Sequence, residues 1–103
     1  MVRPCFIYIA TNYTKSVLYT GVTNSLSRRG NEHQSGKGSE FTSRYQVKYL
    51  LYYESYDDCY DAICREKEIK GWVRMKKLDL IRSLNPEFKF IDWDTGVIVP
   101  GEQ

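Results

Sequence analysis

Two strand-like runs near the N-terminus place the strongest constraint on the fold of this chain. Residues 5–10 read CFIYIA and residues 17–22 read VLYTGV, and both runs are rich in β-branched and aromatic side chains. The polar connection between them, residues 11–16, is short, which favours an antiparallel hairpin. The chain is therefore expected to begin with two paired strands that carry Tyr8 and Tyr19.

The register expected for this hairpin brings the two tyrosines side by side. A turn centred between Tyr13 and Thr14 places Tyr8 opposite Tyr19, and opposed residues point to the same face of a sheet. Gly21 then interrupts the second strand. It either permits close approach of a ligand or another backbone segment, or marks a bulge or a tight exit. The sequence leaves both interpretations of Gly21 open.

A helix over residues 25–34 follows the hairpin, and its inward stripe has an unusual composition. Leu26, Arg29 and His33 fall at i, i+3 and i+7, so they share one side of the helix. With Leu26 facing the sheet, the arginine and the histidine point inward as well, although arginine is rarely buried without a partner anion. The shared stripe favours a functional site over a plain packing role.

A second long helix is predicted with Ser55 or Asp57 as its cap and an end near Gly71, and it places a carboxylate among apolar residues. The apolar members of its inward stripe are Cys59, Ala62, Ile63 and Ile69, and Glu66 lies between them. A carboxylate in such a position costs free energy unless it meets a cation, a metal or a hydrogen-bond network. Glu66 is therefore interpreted as a site residue, with a salt bridge to Arg29 as the purely structural alternative.

The remaining segments complete a small α/β domain of the α+β type. Residues 47–54 are predicted as the third strand, and their near-continuous apolar character indicates the centre of the sheet. A basic third helix is predicted over residues 73–84, ending at Asn85. The expected architecture is a small, mainly antiparallel three-stranded sheet flanked by helices, in the order β-β-α-β-α-α. Residues 1–92 are expected to form one domain, and residues 93–103 a flexible C-terminal tail.

Length and composition narrow the functional classes. A chain of 103 residues supports one hydrophobic core, and no apolar run approaches the roughly 20 residues that span a bilayer. The N-terminus lacks the apolar core of a signal peptide, so the protein is expected to be cytoplasmic and without membrane association. Cys5, Cys59 and Cys64 show no zinc-site spacing and are expected to be reduced thiols. The net charge of +2 does not by itself indicate a nucleic-acid partner.

The ordered set of motifs resembles the GIY-YIG nuclease family, in particular its small single-domain bacterial members of the UPF0213 type. Phe6-Ile7-Tyr8 represents the first signature, with Phe in place of Gly, and Tyr19-Thr20-Gly21 the second, with Thr in place of Ile. Some members carry Lys directly after the second signature, where this chain has Val22. The similarity covers residues 4–92 and continues through TNSLSRRGNEH, REKEIKGW and KKLDLI, followed by Asn85-Pro86.

The resemblance implies a metal-dependent endonuclease that hydrolyses phosphodiester bonds in DNA. It places five residues in the catalytic centre, Tyr8, Tyr19, Arg29, His33 and Asn85. It makes Glu66 the ligand of Mg²⁺ or Mn²⁺. Either Tyr19 or His33 would be the general base, and the sequence does not order these roles.

Contacts to DNA are expected mainly at phosphate groups, from the polar loop over residues 36–44 and from the basic third helix. The cations assigned to this binding are Arg28, Lys37, Arg44, Lys70, Lys76 and Lys77. A protein partner would otherwise supply specificity, and the oligomeric state is open. The alternative function is a nucleic-acid-binding module of the same fold with little or no cleavage. A protein-interaction domain is a weaker alternative, because it leaves Arg29 and Glu66 unexplained.

Overall fold

The computed structural model of this protein describes residues 4–99, which form one three-stranded sheet and four helices. The elements follow one another as β1 (Cys5–Thr11), β2 (Leu18–Thr23), α1 (Leu26–Ser35), α2 (Glu40–Arg44), β3 (Tyr49–Tyr56), α3 (Cys59–Lys70) and α4 (Arg74–Leu84). The predicted α+β class and element order are confirmed, with the short helix α2 added in the segment predicted as a polar loop. Within the described range, no helix is long and apolar enough to cross a membrane.

The central strand is β1, which differs from the prediction that the third strand lies at the centre. The strand order is β2-β1-β3, and both pairings are antiparallel. A register shift at Ile9/Ala10 leaves both Leu50 and Leu51 of β3 fully buried. The backbone N–H of Ile91 also donates to the Leu50 carbonyl at 2.8 Å, which covers that edge of the sheet. The apolar run in β3 therefore reflects this cover and not a central position.

The hairpin register differs from the expected one by two residues. Tyr8 pairs with Gly21, and Tyr19 pairs with Ala10. Because side chains alternate with a period of two, a shift of two residues leaves both tyrosines on the same face. The ring of Tyr8 lies over Gly21, where an added Cβ would come within 2.5 Å of the Tyr8 Cζ and hydroxyl atoms. Gly21 is therefore required for close approach of a side chain from the neighbouring strand.

The side chain of Asn12 explains this register. Its Oδ1 accepts from the backbone N–H groups of Ser16 at 2.9 Å and Val17 at 3.0 Å. Lys15 adopts a positive φ of 62° and donates its backbone N–H to the Asn12 carbonyl at 3.0 Å. This Asx-type closure places the turn one residue later than the position expected from the sequence.

The sheet has a core on each of its faces. On one face, α3 and α4 cover a cluster that includes Ile7, Ile9, Ala62, Ile69 and Ile81. On the other face, the cluster contains Tyr8, Ala10, Leu26, Val47, Leu50 and Trp93, with Leu26 contributed by α1. The polar residues of the stripe on α1 are therefore directed at the same face as Tyr8.

Glu54 of β3 holds α3 against the sheet. Arg65 donates to its two oxygens at 3.0 and 3.1 Å, and the hydroxyls of Tyr52 and Tyr56 donate to the same carboxylate. Burial alone would raise the pKa of Glu54, but the hydrogen bonds, with that of Arg65 the strongest, outweigh it and lower the pKa. A charged carboxylate with these three donors fixes the position of the helix that carries Glu66.

Cys5 and Cys59 form a disulfide, so the expectation of three reduced thiols is wrong for this pair. The two residues are 54 positions apart and belong to no spacing motif, so no local pattern indicates the pairing. Packing of α3 on the sheet brings their Cα atoms to 5.0 Å, which is within the usual range for a disulfide. Cys64 remains a free, exposed thiol.

The segment that follows α4 packs back onto the domain. Leu84 at the end of α4 is exposed, whereas Trp93 is buried. Ile91 forms an isolated bridge with Ile98, so the described part of the expected flexible tail, residues 93–99, includes packed structure. The physical reason is that the Trp93 indole is part of the buried cluster with Tyr8, Leu26 and Val47. Residues 100–103 lie outside the described residues.

Thiol titration tests the disulfide. We expect the native protein to react at one thiol, that of Cys64, and the reduced, denatured protein at three. Reduction should also lower the unfolding free energy by about 2 to 4 kcal/mol, because the cross-link restricts the unfolded chain. In the control Cys64→Ser the native protein should show no reactive thiol. Three reactive thiols in the native, untreated protein would contradict the pairing.

Candidate active site

Tyr8 and His33 form a buried pair at the centre of the candidate site. The Tyr8 hydroxyl lies 3.0 Å from His33 Nε2, and His33 Nδ1 lies 2.8 Å from the Val47 carbonyl oxygen. Because a carbonyl oxygen only accepts, Nδ1 carries the ring proton and donates to Val47. In the neutral ring, Nε2 is then an acceptor, and the Tyr8 hydroxyl donates to it. Both ring nitrogens of His33 are therefore occupied within the protein.

Burial stabilises the neutral form of both partners. It lowers the pKa of His33, against the opposing effect of the hydrogen bond to Val47. Burial also raises the pKa of Tyr8 well above that of an ordinary phenol, with Tyr19 adding to the shift and Arg29 opposing it. At neutral pH the pair consequently consists of a protonated phenol and an uncharged imidazole, and the direction of its hydrogen bond is fixed.

The two ends of helix α1 determine where His33 lies. Ser25 caps the start of the helix, where its Oγ accepts from the Arg28 N–H at 3.2 Å, so the cap lies at the first residue of the predicted helix. Gly36 ends the helix with a positive φ of 78°, and its N–H donates to the His33 carbonyl at 3.3 Å. His33 therefore lies in the last turn, between the sheet and the segment that supplies Val47.

Tyr19 joins the pair from the edge strand β2. Its ring lies 5.8 Å from the His33 ring and 6.3 Å from the Tyr8 ring, measured between centroids. On its other side it stacks on Phe41 at 6.0 Å with an interplanar angle of 26°. Tyr19 is half-buried, whereas Tyr8 is fully buried. Of the two signature tyrosines, Tyr19 is therefore the one with access to solvent.

Arg29 approaches the Tyr8 hydroxyl from α1 and remains 30% exposed. Its Nε lies 3.1 Å from Glu32 Oε1 but has no hydrogen bond of acceptable geometry. Glu32 is thus the anion that the inward arginine requires, and it also lies 3.7 Å from Arg28 Nε. The structural alternative considered for Glu66, a salt bridge to Arg29, is replaced by this local pair.

Glu66 occupies the inward side of α3 and is 8% exposed. Its Oε2 lies 2.7 Å from the Lys70 ammonium, one helical turn later. The pKa of Lys70 is raised, chiefly by its hydrogen bond to Glu66, and the nearby Tyr19 phenol contributes to the same shift. The Glu66–Lys70 pair therefore lies beside the edge strand that carries Tyr19. Glu66 thus belongs to α3, and its connection to the cluster of Tyr8, Tyr19 and His33 runs through Lys70, whose ammonium interacts with the Tyr19 phenol.

Asn85 is not brought to that cluster. Its amide nitrogen donates to the carbonyls of Leu51 at 2.9 Å and Lys89 at 2.8 Å, and its oxygen accepts from the Lys89 N–H at 3.1 Å. These bonds close the turn after α4 and tie it to β3. Helix α4 itself covers the opposite face of the sheet, so Asn85 supports the fold there.

The predicted DNA-binding cations fall into two groups. Arg28, Lys37 and Arg44 are exposed on the side of the sheet that holds the Tyr8–His33 pair. Lys76 and Lys77 belong to α4 on the other face, and Lys76 lies 4.4 Å from the centroid of the Trp72 ring. Lys70 belongs to α3, where it is paired with Glu66.

Three residues at the site were not assigned to it from the sequence. Trp93 stacks on His33 with a centroid distance of 5.3 Å and donates its indole N–H to the Lys48 carbonyl at 3.1 Å. Tertiary packing alone sets this contact, so no local pattern could have indicated it. Glu32, three residues after Arg29, could have been found from its helical spacing. Phe41 could have been found as an aromatic residue in an otherwise polar segment.

The donor set at the site suits a cation that retains much of its water. Within residues 4–99, no group of three or more His, Cys, Asp or Glu residues is placed to hold a metal ion. Glu66 is a single buried carboxylate with one oxygen on Lys70. Mg²⁺ commonly binds through one or two carboxylates together with waters and substrate phosphates. Glu66 therefore fits such an ion, which would complete its coordination with water and substrate.

A three-stranded sheet with paired tyrosines, an adjoining Arg/His helix and a later buried glutamate defines a GIY-YIG domain. The family described as the GIY-YIG catalytic domain matches residues 4–79. The chain belongs to this family, whose members are generally nucleases.

Its relatives include UPF0213 proteins of Staphylococcus aureus, from strains Mu3 and COL. Each is 36% identical to this chain over 77 residues, a match covering 75% of this chain and 93% of the relative. The solution NMR structure of a UPF0213 protein from Bacillus halodurans is 28% identical, with a TM-score of 0.53. That comparison covers 82% of this chain and 89% of the other. The expected resemblance is thereby confirmed.

Replacing Gly21 by alanine tests the packing at the centre of the site. The new Cβ would meet the Tyr8 ring at 2.5 Å, and the fully buried ring has no free space. We expect Gly21→Ala to lower the unfolding free energy by about 1 to 3 kcal/mol, measured by urea denaturation. Gly71→Ala is the matched control, because its Cβ would make an ordinary 3.5 Å contact with the Glu68 carbonyl. Equal stability of the two variants would contradict the packing.

Proposed function

We propose that this protein is a divalent-metal-dependent endonuclease that hydrolyses phosphodiester bonds in DNA. The observation that carries the proposal is the cluster of Tyr8, Tyr19, Arg29 and His33, together with the buried carboxylate of Glu66, whose partner Lys70 interacts with Tyr19. Hydrolysis of a phosphodiester requires positive charge at the phosphate oxygens and a group that removes a proton from water. The cluster contains candidates for both tasks, and its relatives belong to a nuclease-type family.

Arg29 is the residue proposed to bind the scissile phosphate. Its side chain is partly exposed, so a substrate oxygen can approach the guanidinium from solvent. Tyr8 and His33 would act as positioning residues, because both are buried and the direction of their hydrogen bond is fixed. Together they form the rigid surface against which the side chains of Arg29 and Tyr19 pack.

Tyr19 is proposed as the proton acceptor, in preference to His33. A general base must touch the attacking water, and His33 is buried with both nitrogens engaged. Tyr19 is half-buried and can be reached from solvent. A phenolate that accepts a proton is stabilised by nearby positive charge, and the Lys70 ammonium interacts electrostatically with Tyr19.

Glu66 is proposed to hold Mg²⁺ or Mn²⁺ at the edge of the cluster. When bound, the ion would act as a Lewis acid that stabilises charge on a phosphate oxygen. Glu66 has one oxygen on Lys70, so Lys70 must share the carboxylate with the cation or release it. Lys70 would then be free to contact the DNA backbone.

The exposed cations Arg28, Lys37 and Arg44 are proposed to contact DNA phosphates around the site. Such contacts give salt-sensitive binding with modest base discrimination, and a protein partner would have to supply any sharper specificity. The alternative function, DNA binding without cleavage, is favoured by one observation: Lys70 already satisfies the buried carboxylate of Glu66 without a metal.

Cleavage assays on plasmid, single-stranded and branched DNA, with and without Mg²⁺ or Mn²⁺, test this proposal. We expect metal-dependent cleavage, and a rate loss of about 100-fold or more in Glu66→Gln and in Arg29→Lys. Glu68→Gln on the same helix and Arg82→Lys on α4 are the matched controls and should retain activity. Binding of all substrates without cleavage of any would favour the alternative.

The role of Tyr19 has its own test. Tyr19→Phe keeps the ring contacts with His33 and Phe41 but removes the hydroxyl. We expect the variant to fold with unchanged thermal stability and to lose most of its cleavage rate at saturating metal, about 100-fold. Full activity of Tyr19→Phe would eliminate the phenol as the proton acceptor.

A further inference from the structure

We propose that Phe41 and Tyr45 form a stacking platform for an unpaired nucleobase, so that the protein engages single-stranded DNA beside its candidate active site. This inference rests on the DNA-directed function proposed above and deepens it by naming the form of the substrate. We call the two rings the aromatic platform.

The aromatic platform is a pair of touching rings that the fold leaves open to solvent. Phe41 lies in α2 and Tyr45 is the C-cap residue four positions later, with ring centroids 4.7 Å apart. Each residue is 45% exposed. Core residues of this size normally bury their rings, and the residue of α2 that is buried is Thr42. Two adjacent aromatic faces at the surface are the arrangement on which nucleobases stack in proteins that bind single strands.

The platform is continuous with the residues proposed for catalysis. Phe41 stacks on Tyr19, and Tyr19 packs against His33. A row of rings therefore runs from the buried imidazole to the surface and ends at Tyr45. A base stacked at its outer end would hold its own backbone phosphates near the exposed part of Tyr19. Stacking and proton removal would then act on neighbouring positions of one strand.

Hydrogen bonds at both ends of α2 give the aromatic platform a defined position. The Ser39 Oγ accepts from the Thr42 N–H at 3.2 Å and caps the helix. The Val47 N–H donates to the Thr42 carbonyl at 2.8 Å, and the Val47 carbonyl accepts from His33. The helix that carries the platform is thus anchored through Val47 to the histidine of the candidate site. A rigid stacking surface loses little conformational entropy when a base binds.

The charges around the platform match a nucleic-acid backbone. Lys37 precedes α2 and Arg44 lies in its last turn, and both are exposed. Glu40 in the first turn is the single carboxylate of the helix. Cationic side chains that flank exposed aromatic rings follow the pattern of single-strand binding sites, in which phosphates and bases are bound together. Bases within a duplex are already stacked on their neighbours, so only an unpaired base has a face available.

Fluorescence anisotropy in EDTA separates stacking from phosphate contacts. The probes are a labelled thymidine strand of about 20 nucleotides, an abasic strand of the same length, and a duplex. We expect Phe41→Ala and Tyr45→Ala each to weaken binding of the thymidine strand about tenfold, and to leave binding of the abasic strand and the duplex unchanged. Tyr60→Ala is the control, because Tyr60 is equally aromatic and 71% exposed on α3.

Phe41→Leu keeps apolar packing against Tyr19 while removing the aromatic face, so it guards against a folding artefact. We expect it to match wild type in thermal stability and to lose thymidine-strand binding as Phe41→Ala does. Three results would overturn the platform: wild-type binding by Phe41→Leu, equal losses on the abasic strand, or a matching loss in Tyr60→Ala.

Because these measurements contain no metal, they do not depend on cleavage. Loss of thymidine-strand binding in the platform variants, together with no cleavage by wild type in Mg²⁺ or Mn²⁺, would support the platform and overturn the endonuclease. Cleavage by wild type with unchanged binding in the platform variants would do the reverse.

Discussion

The hydrogen bond between the Tyr8 hydroxyl and His33 Nε2 is the contact on which the arrangement of the site depends. Its donor comes from the central strand and its acceptor from the last turn of α1. The second nitrogen of His33 donates to the Val47 carbonyl. The Val47 N–H donates in turn to the Thr42 carbonyl, which joins the segment that leads into β3 to α2. One imidazole thus joins a strand, a helix and a loop. Burial keeps both partners uncharged, so the bond is not lost to ionisation near neutral pH.

Around this neutral centre the charged groups lie at the periphery and come from both sides of the sheet. Arg29 reaches in from α1 with Glu32 as its local counter-ion, whereas the Glu66–Lys70 pair belongs to α3, which covers the other face. Strand β2 is an edge strand, and its Tyr19 packs against His33 and also interacts with the Lys70 ammonium of α3. Anchoring of α3 by the Glu54–Arg65 bonds and by the disulfide then fixes the position of Glu66 relative to the hairpin.

Local patterns were sufficient to predict the three strands and the three longer helices, the two tyrosines, the inward stripe of α1 and the buried carboxylate on α3. They were insufficient wherever a distant partner decides the outcome. The apolar run of β3 resembled a central strand because Ile91 covers its edge, and the cysteine pair is joined only by packing of α3. The hairpin register depended on the Asn12 side chain, which a count of residues between strands does not include. Asn85 followed the family pattern, yet its bonds serve the turn after α4.

Trp93 shows that the candidate site includes a segment beyond the residues that match the family. The family match stops at residue 79, but the indole that covers one face of His33 comes from a segment beyond it. Gly30 of α1 also has no side chain where the indole packs, since an added Cβ there would lie 2.3 Å from Trp93 Cγ. The helix surface and the distal segment are therefore complementary in shape. A fragment cut at the family boundary would retain every signature residue of the first two strands and still leave the central imidazole open to water.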